Sequence, residues 1–214
     1  IETLLLTNGR SLSVTSFFEK LKEYCPPYLC IAIPIHGDTP ELHDKITRVS
    51  GSFNQTNRGI LNLLSAGIAV EIRVIVSKMN MYALEGIAKR IIKYYPNVYT
   101  VNFIGMETRG NCAKNFSSIY IGHRQAFEAM RNAIDMLVMA GINTSIYNFP
   151  LCEVDAGYWG ICRKSISPEK VRFPNECDKC AVKAECGGFF STTLLMTKPQ
   201  VSPISPREAG ICHC

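Results

Sequence analysis

The chain has 214 residues, of which 47% are hydrophobic, and its 23 basic and 18 acidic residues give a net charge of +5. This length suits one ordinary domain, or one domain with a small appendage, and the basic residues are scattered, so we expect no nucleic-acid partner. No apolar run approaches the ~20 residues of a membrane span and no secretory signal is visible, so we expect a cytoplasmic protein outside the membrane.

The first part of the chain predicts strands that alternate with helices. Residues 2–7 form an apolar run before an Asn-Gly turn and predict a buried strand. A helix is predicted over residues 16–24, and a second apolar strand over residues 28–35. Pro40 is expected to begin a short helix with Thr39 as its cap.

The alternation continues through the middle of the chain. Ser52 and Gln55 have the spacing of a capping box and predict a helix that runs to Gly67. Residues 68–77 predict a third strand, after which Asn80 is expected to cap the next helix.

Two more strands and a long helix complete the pattern. Strands are predicted over residues 98–104 and 142–148, and an amphipathic helix over residues 123–140, with a loop through residue 118 before it. Apolar strands that alternate with helices predict an α/β fold, in which helices cover a parallel sheet. Ligands bind such sheets and barrels at the carboxyl ends of the strands.

Two histidines follow the second predicted strand. His36 and His43 could serve as catalytic bases or as ligands. Their spacing alone favours a simpler interpretation, a capped loop and a helix start in which His43 hydrogen-bonds locally.

Half of the ten cysteines lie in one 35-residue stretch with the spacing C-x9-C, then fourteen residues, then C-x2-C-x5-C. Thiolates at such spacing favour zinc or iron–sulfur over magnesium or calcium. Composition alone favours a structural zinc site with four ligands, and leaves the remaining cysteine as a spare or a substitute. A disulfide-bonded extracellular domain is a further alternative. The five cysteines are Cys152, Cys162, Cys177, Cys180 and Cys186.

The other five cysteines are less informative. Cys25, Cys30 and Cys112 are isolated in the sequence and are interpreted as idle thiols. Cys212 and Cys214 could ligate a metal, although a frayed chain end is the simpler interpretation.

Taken together, these features resemble the radical S-adenosylmethionine (SAM) enzymes with a C-terminal auxiliary-cluster domain of the SPASM or twitch type. The stretch from Gly37 to Arg48, followed by Gly51-Ser-Phe, is similar to a family motif, and Asn80 stands where that family often has Asn. The likeness is closer to the His-Xaa-Ser system radical SAM maturases. It is carried by Ile35-His-Gly-Asp-Thr39, Gly105-Met-Glu107, Ser145-Ile-Tyr-Asn148, Leu151-Cys152, Ser165-Ile-Ser167 and Cys186-Gly-Gly-Phe-Phe190.

This resemblance implies a fold and a domain organisation. Residues 1–148 would be the C-terminal part of a partial (β/α)6 TIM-like barrel that lacks its first strands. Residues 149–198 would form a small cysteine-rich domain that binds metal, and residues 199–214 an irregular tail. The family's C-x3-C-x2-C triplet and its Gly-Gly-Glu motif do not occur in the sequence, so we expect both in a missing N-terminal part, together with the catalytic [4Fe–4S] cluster.

The resemblance also implies roles for individual residues. Arg48 would pair with the SAM carboxylate, as a guanidinium does well, and Met106 would approach the adenine. Pro34 stands where relatives often have a serine that contacts the ribose. Cys152, Cys162, Cys177, Cys180 and Cys186 would be the ligands of an auxiliary [4Fe–4S] cluster.

The implied function is that of a peptide maturase. The intact enzyme would cleave SAM to a 5′-deoxyadenosyl radical and modify a ribosomally made peptide with His-Xaa-Ser repeats, in partnership with a second radical SAM maturase. These 214 residues, which lack the triplet, are expected to be inactive by themselves. The alternative is a zinc-stabilised binding module without catalytic activity.

Overall fold

Six strands form the main sheet of the protein, which is known from a computed structural model that describes residues 3–210. The strands are parallel, and their order in the sheet is their order in the chain. A separate pair of short antiparallel strands lies in the cysteine segment. The main sheet comprises β1 (Thr3–Leu6), β2 (Leu29–Pro34), β3 (Ala69–Ile75), β4 (Thr100–Ile104), β5 (Thr144–Tyr147) and β6 (Cys162–Arg163), and the pair comprises β7 (Val171–Arg172) and β8 (Phe189–Phe190).

Helices fill most of the connections between the strands of the sheet. No helix within residues 3–210 is long and apolar enough to reach across a membrane. The helices are α1 (Thr15–Glu23), α2 (Pro40–Thr47), α3 (Ser52–Ser65), α4 (Leu84–Tyr94), α5 (Asn111–Lys114), α6 (Phe116–Ile119), α7 (His123–Met139) and α8 (Ser191–Thr197).

The predicted α/β class and parallel sheet are confirmed, and the strand order is consistent with a partial TIM-like barrel. β2 and β3 pair in register from Cys30 opposite Ala69 to Pro34 opposite Arg73. Most of the apolar side chains of these two strands are buried, as is usual for a parallel sheet covered by helices.

The prediction of a buried first strand was wrong about burial. β1 forms, but all four of its residues are exposed, including Leu5 at 43% and Leu6 at 59%. β1 stands at the end of the strand order and pairs with β2 on one side only. An apolar run predicts a strand from its composition, but the composition does not reveal that the strand occupies an edge.

The predicted capping box at the start of α3 does not form. Gly51 is the N-cap, in a left-handed conformation with φ of 78°. The Asp44 carboxylate takes the capping role, because it accepts hydrogen bonds from the Gly51 and Phe53 amides at 2.6 and 2.8 Å and from the Ser52 hydroxyl at 2.8 Å. These hydrogen bonds lower the pKa of Asp44, the one from the Phe53 amide most.

Asn80 does not cap α4, which begins at Leu84 with Ala83 as N-cap. Its amide instead donates to the carbonyls of His36 and Ile75 at 3.2 and 3.0 Å. Asn80 therefore joins the chain after β2 to the end of β3, and it is 1% exposed. By contrast, Thr39 caps α2 as predicted, with its hydroxyl accepting from the Leu42 amide.

The chain divides into two compact units. The first comprises the residues up to Ile75, Met79–Phe103 and Ala129–Thr144. The second comprises Val76–Lys78, Ile104–Glu128 and the residues from Ser145 onward. The domain boundaries expected from the sequence stay predictions. Cys212 and Cys214 lie outside the described residues.

Candidate metal centre and strand-end pocket

The five clustered cysteines lie in one region of the second unit. Four of them, Cys152, Cys177, Cys180 and Cys186, line a single small cavity, which also has an apolar lining. Its volume is about 10 Å³, which is room for about one water-sized atom. The chain gathers these thiols although they are separated by up to 34 positions in the sequence, 186 minus 152.

The sulfur of Cys186 is held in place by two backbone hydrogen bonds. Its Sγ accepts hydrogen bonds from the backbone amides of Leu151 at 3.3 Å and Gly188 at 3.4 Å. Backbone N–H groups aimed at a sulfur stabilise negative charge on it and tune the potential of a bound cluster. Gly188 has φ of 67°, and this left-handed conformation is one that glycine adopts without strain.

Cys162 belongs to the same apolar cluster but is not among the residues that line the cavity. It packs with Cys152 and Cys180 against a buried core that contains Leu151 and Cys186. The thiol of Cys162 lies 3.5 Å from the Tyr158 carbonyl, to which it can donate a weak hydrogen bond. The structure thus brings the five predicted ligands into one region: Cys162 packs with Cys152, Cys180 and Cys186 in the apolar cluster, and Cys177 lines the cavity.

The surroundings of Cys152 and Cys162 oppose the ionisation of their thiols. Burial, followed by repulsion from Glu153, Cys186 and Cys177, raises the pKa of Cys152 to about 12. Burial, followed by the proximity of Cys186, also raises the pKa of Cys162 to about 12. Since a metal binds the thiolate, loading of this site would release protons and would place positive charge among the sulfurs.

The thiols are gathered but are not arranged around a common centre. All eight cysteines in the described part of the chain are free thiols. Within residues 3–210, no three His, Cys, Asp or Glu side chains are placed so that they could hold a metal ion as they stand. The soft donor set suits a thiophilic metal or cluster, and the assignment of the five cysteines as its ligands stays a prediction.

His123 packs behind the wall of the cavity. Its ring makes edge contacts with Phe149 and Phe189, at centroid distances of 5.3 and 5.6 Å, and Phe189 lines the cavity. The ring hydrogen-bonds to the backbone of Asn148. Burial dominates and lowers the pKa of His123 to about 4, so the ring is neutral at pH 7.

We therefore expect the free energy of unfolding of His123→Gln to fall less between pH 7 and pH 4.5 than that of the unmodified protein. The unfolded chain takes up a proton near pH 6.5, whereas the pKa of folded His123 is about 4, so stability is lost as the pH falls through this window, by up to roughly 3 kcal/mol. Glutamine keeps a donor for Asn148 but does not ionise. Urea unfolding at pH 4.5, 5.5 and 7 would measure the change, and equal slopes for the two proteins would contradict it.

A second site lies in the first unit, where β1 and β2 end. It is a pocket of about 260 Å³ that combines a cation with imidazoles, hydroxyls and an amide. The lining residues are Asn8, Arg10, Pro34, His36, His43, Thr47, Val49, Ser52 and Thr56. The expectation that ligand-binding groups gather at the carboxyl ends of the strands agrees with this position.

Arg48 is placed differently from Arg10. Arg48 lies between two lining residues, but it is not itself part of the lining. It ends α2 in a left-handed conformation with φ of 58°. Arg10 lines the pocket, and its Nε donates to Gln55 Oε1 at 2.7 Å. Sequence reasoning missed Arg10, although its position directly after the Asn-Gly turn that follows β1 was a usable signal.

The two histidines form a neutral pair in this pocket. The His36 amide donates to His43 Nδ1 at 3.3 Å, so the proton of the neutral His43 ring is on Nε2. Burial, followed by the proximity of His36, lowers the pKa of His43 to about 4, and burial lowers the pKa of His36. The expected local hydrogen bond of His43 is present, and neither ring carries charge at pH 7.

Met106 follows β4 in the second unit and is half-buried. The residue before it, Gly105, has no room for a side chain, because a Cβ there would lie 2.7 Å from the Asn148 carbonyl. The Asn148 amide donates to the Gly105 carbonyl at 3.1 Å, and Ser165 Oγ donates to Asn148 Oδ1 at 2.7 Å. Asn148 thereby fixes both the Met106 loop and the chain that leads to Cys152.

Comparisons with known proteins give a likeness of fold. No protein-family model matches the sequence, and no curated protein matches it either. Among solved structures, the fold is similar to a domain of a pyruvate-formate lyase-activating enzyme from Bacteroides vulgatus ATCC 8482, with a TM-score of 0.52 and 13% sequence identity. The match covers 68% of this chain and 81% of that domain.

Proposed function

We propose that this chain is part of a radical SAM enzyme that modifies a peptide, with an auxiliary iron–sulfur cluster in its cysteine segment. The observation that carries the proposal is the gathering of free thiols on a chain with this fold: four of the five cysteines line one small cavity, and Cys162 packs with three of those four in one apolar cluster. The similar domain comes from an activating enzyme of a radical SAM family, which supports the same class of chemistry.

The cysteine segment would hold the cluster through Cys186 and its neighbours in the cavity. Two backbone amides donate to Cys186 Sγ and orient it, and most of the cavity lining is apolar. A bound cluster would supply electron transfer or a coordination position for substrate. The remaining cavity thiols would lose their protons on binding.

The strand-end pocket would receive SAM. Arg10 presents a guanidinium inside it, and the neutral His36 and His43 can donate and accept hydrogen bonds without adding charge. Arg48 remains proposed as a contact of the SAM carboxylate and Met106 as a contact of the adenine. A bound SAM would supply the carbon radical when a reduced catalytic cluster is present.

The finer assignment follows the resemblance described from the sequence. We propose as substrate a ribosomally made peptide with His-Xaa-Ser repeats, and a second radical SAM maturase as partner. The SPASM or twitch type of the cysteine segment and a cytoplasmic location are parts of the same proposal.

A zinc-stabilised binding module is the second candidate. It is favoured by the cavity volume of about 10 Å³, which suits a single ion better than a cluster of four iron and four sulfide ions. In that case the cysteine segment would be a structural site whose metal contributes to folding, without redox chemistry.

Anaerobic purification with metal analysis distinguishes these functions. We expect the reconstituted chain to be brown, with about four iron and four sulfide ions per chain and little zinc. A colourless protein with one tightly bound zinc would contradict the proposal and support the module. Because C-x3-C-x2-C is absent from the 214 residues, we also expect no SAM cleavage by this chain alone, which liquid chromatography of 5′-deoxyadenosine would check.

A further inference from the structure

A broad groove in the second unit has no role in the function proposed so far. Its volume is about 800 Å³, within the range of roughly 300–1,000 Å³ that ligand sites occupy. Two stretches of the cysteine segment form it, one on each side of the C-x2-C step. The lining residues are Lys164, Ile166, Pro168, Val171 and Phe173 from one stretch, and Cys180, Ala181, Lys183, Ala184, Cys186 and Gly187 from the other.

The groove and the small cysteine cavity share part of their lining. Cys180 and Cys186 line both, as do Phe173 and Lys183. Anything that occupies the groove therefore lies against two of the thiols predicted to hold the cluster. Its position makes the groove a place where a substrate could be held beside the metal centre.

The charges in the groove have one sign. Its lining has two cations, Lys164 and Lys183, and no carboxylate. Lys164 Nζ donates to the Ala184 carbonyl at 2.6 Å. Lys183 Nζ forms an ion pair with Asp178 Oδ1 at 2.6 Å, which compensates part of its charge, so Lys164 is the cation without a carboxylate partner among these contacts. An ammonium group has three N–H donors, so each lysine can still donate to a ligand.

The rest of the lining is apolar or small. Lys183 also lies 5.6 Å from the centre of the Phe173 ring, which places a cation beside an aromatic surface. A small inorganic anion would use the lysines and leave the apolar lining in water. A chain that presents a carboxylate between apolar side chains would satisfy both parts of the groove.

We propose that this groove binds an extended peptide segment in which an acidic side chain lies between apolar residues, with Lys164 and Lys183 pairing with the carboxylate. The inference rests on the proposed function and deepens it, because it gives a segment of the peptide substrate outside its His-Xaa-Ser repeats a binding site next to the cysteine cluster. Ile166, Val171 and Phe173 would contact the apolar side chains.

Two dansyl-labelled peptides test the inference on the unmodified protein. We would titrate the anaerobically prepared chain into dansyl-Gly-Leu-Glu-Leu-Gly amide and into the same peptide with Gln in place of Glu, and follow fluorescence anisotropy. The Glu peptide should bind about fivefold more tightly at low salt, and added salt should reduce this difference. Equal affinities for the two peptides would overturn the proposal.

Variants of the protein locate the binding. Lys164→Gln combined with Lys183→Gln should weaken binding of the Glu peptide by about tenfold and leave the Gln peptide almost unchanged. Ala184→Trp, which fills the groove, should weaken both peptides. Lys179→Gln is the matched control, because Lys179 is an exposed lysine between Cys177 and Cys180 that does not line the groove. An equal loss with Lys179→Gln would overturn the proposal.

The same samples separate this inference from the proposed function. Iron and sulfide analysis of each variant tests the cluster, whereas the preference for Glu over Gln tests the groove. A protein that binds zinc and still prefers the Glu peptide would support the peptide-binding groove and overturn the proposed iron–sulfur cluster. A brown protein that binds the Glu and Gln peptides equally would support the iron–sulfur cluster and overturn the proposal that the groove binds an acidic peptide.

Discussion

Replacing Cys186 by serine is expected to lower the bound iron of the reconstituted protein by at least about tenfold, the scale on which losses at metal sites fall. Cys186 lines the cavity, receives two backbone hydrogen bonds on its sulfur, and lies near Cys152, Cys162 and Cys177. Serine is a harder ligand, and its hydroxyl does not ionise near neutral pH, so it cannot replace the thiolate.

Cys25→Ser is the matched control for this experiment. Cys25 is a half-buried free thiol of the first unit whose Sγ lies 3.7 Å from the Pro26 carbonyl, so its loss should leave the iron content unchanged. Metal analysis and the visible absorption band would be compared for both variants. Equal iron in Cys186→Ser and the unmodified protein would contradict the assignment of Cys186 as a ligand, and Cys162→Ser would show whether the fifth cysteine is a ligand or a spare.

The second large effect is expected from Gly59→Ala, which should lower the free energy of unfolding by about 2 kcal/mol. A Cβ at Gly59 would lie 2.3 Å from the Gly9 carbonyl oxygen and 3.1 Å from Leu12 Cβ. Alanine in a helix gains up to roughly 1 kcal/mol over glycine, but overpacking against a backbone atom costs about 1–3 kcal/mol or more. With a contact this short the clash outweighs the gain, because α3 and the turn after β1 must move apart.

Gly122→Ala is the control for that substitution. A Cβ at Gly122 would meet no atom within 4 Å, so the free energy of unfolding should change by less than about 0.5 kcal/mol. Urea unfolding followed by circular dichroism would measure both variants. A Gly59→Ala protein as stable as the Gly122→Ala protein would show that α3 does not pack tightly on this turn. Since Asn8 and Arg10 flank Gly9, the variant would also test how the strand-end pocket is shaped.

Hydrophobic periodicity predicted the class and the order of the elements, because a buried face leaves a regular pattern in the sequence. It placed α7 within one residue, at His123–Met139, and placed β3 inside the predicted range. Capping was harder to predict. The group that caps α3 is the side chain of Asp44, eight positions before the start of that helix at Ser52, and a distant carboxylate leaves no local signature.

The candidate sites, like the fold, were predicted only in part. The clustering of five cysteines in one stretch of the sequence pointed to the four thiols that share the cavity, but it did not show that Cys162 is not part of the lining. The strand-end pocket depends on residues that follow β1 and β2 and on residues of α3, which only the tertiary structure brings together, so Arg10 and Thr56 were not identified. The lining of the groove was also not predicted, because its lysines lie 19 positions apart, 183 minus 164, and the cysteine spacing between them gives no sign of a groove.

The position of Trp159 gives the protein a built-in optical probe. It is the only tryptophan in the chain, and it packs against the cysteine cluster while its indole N–H donates to the Leu151 and Val154 carbonyls at 3.1 and 3.0 Å. A coloured iron–sulfur cluster bound beside Trp159 would quench the tryptophan emission, whereas zinc, which absorbs no visible light, would not. Intrinsic fluorescence therefore offers a label-free way to follow the loading and the loss of the metal in real time.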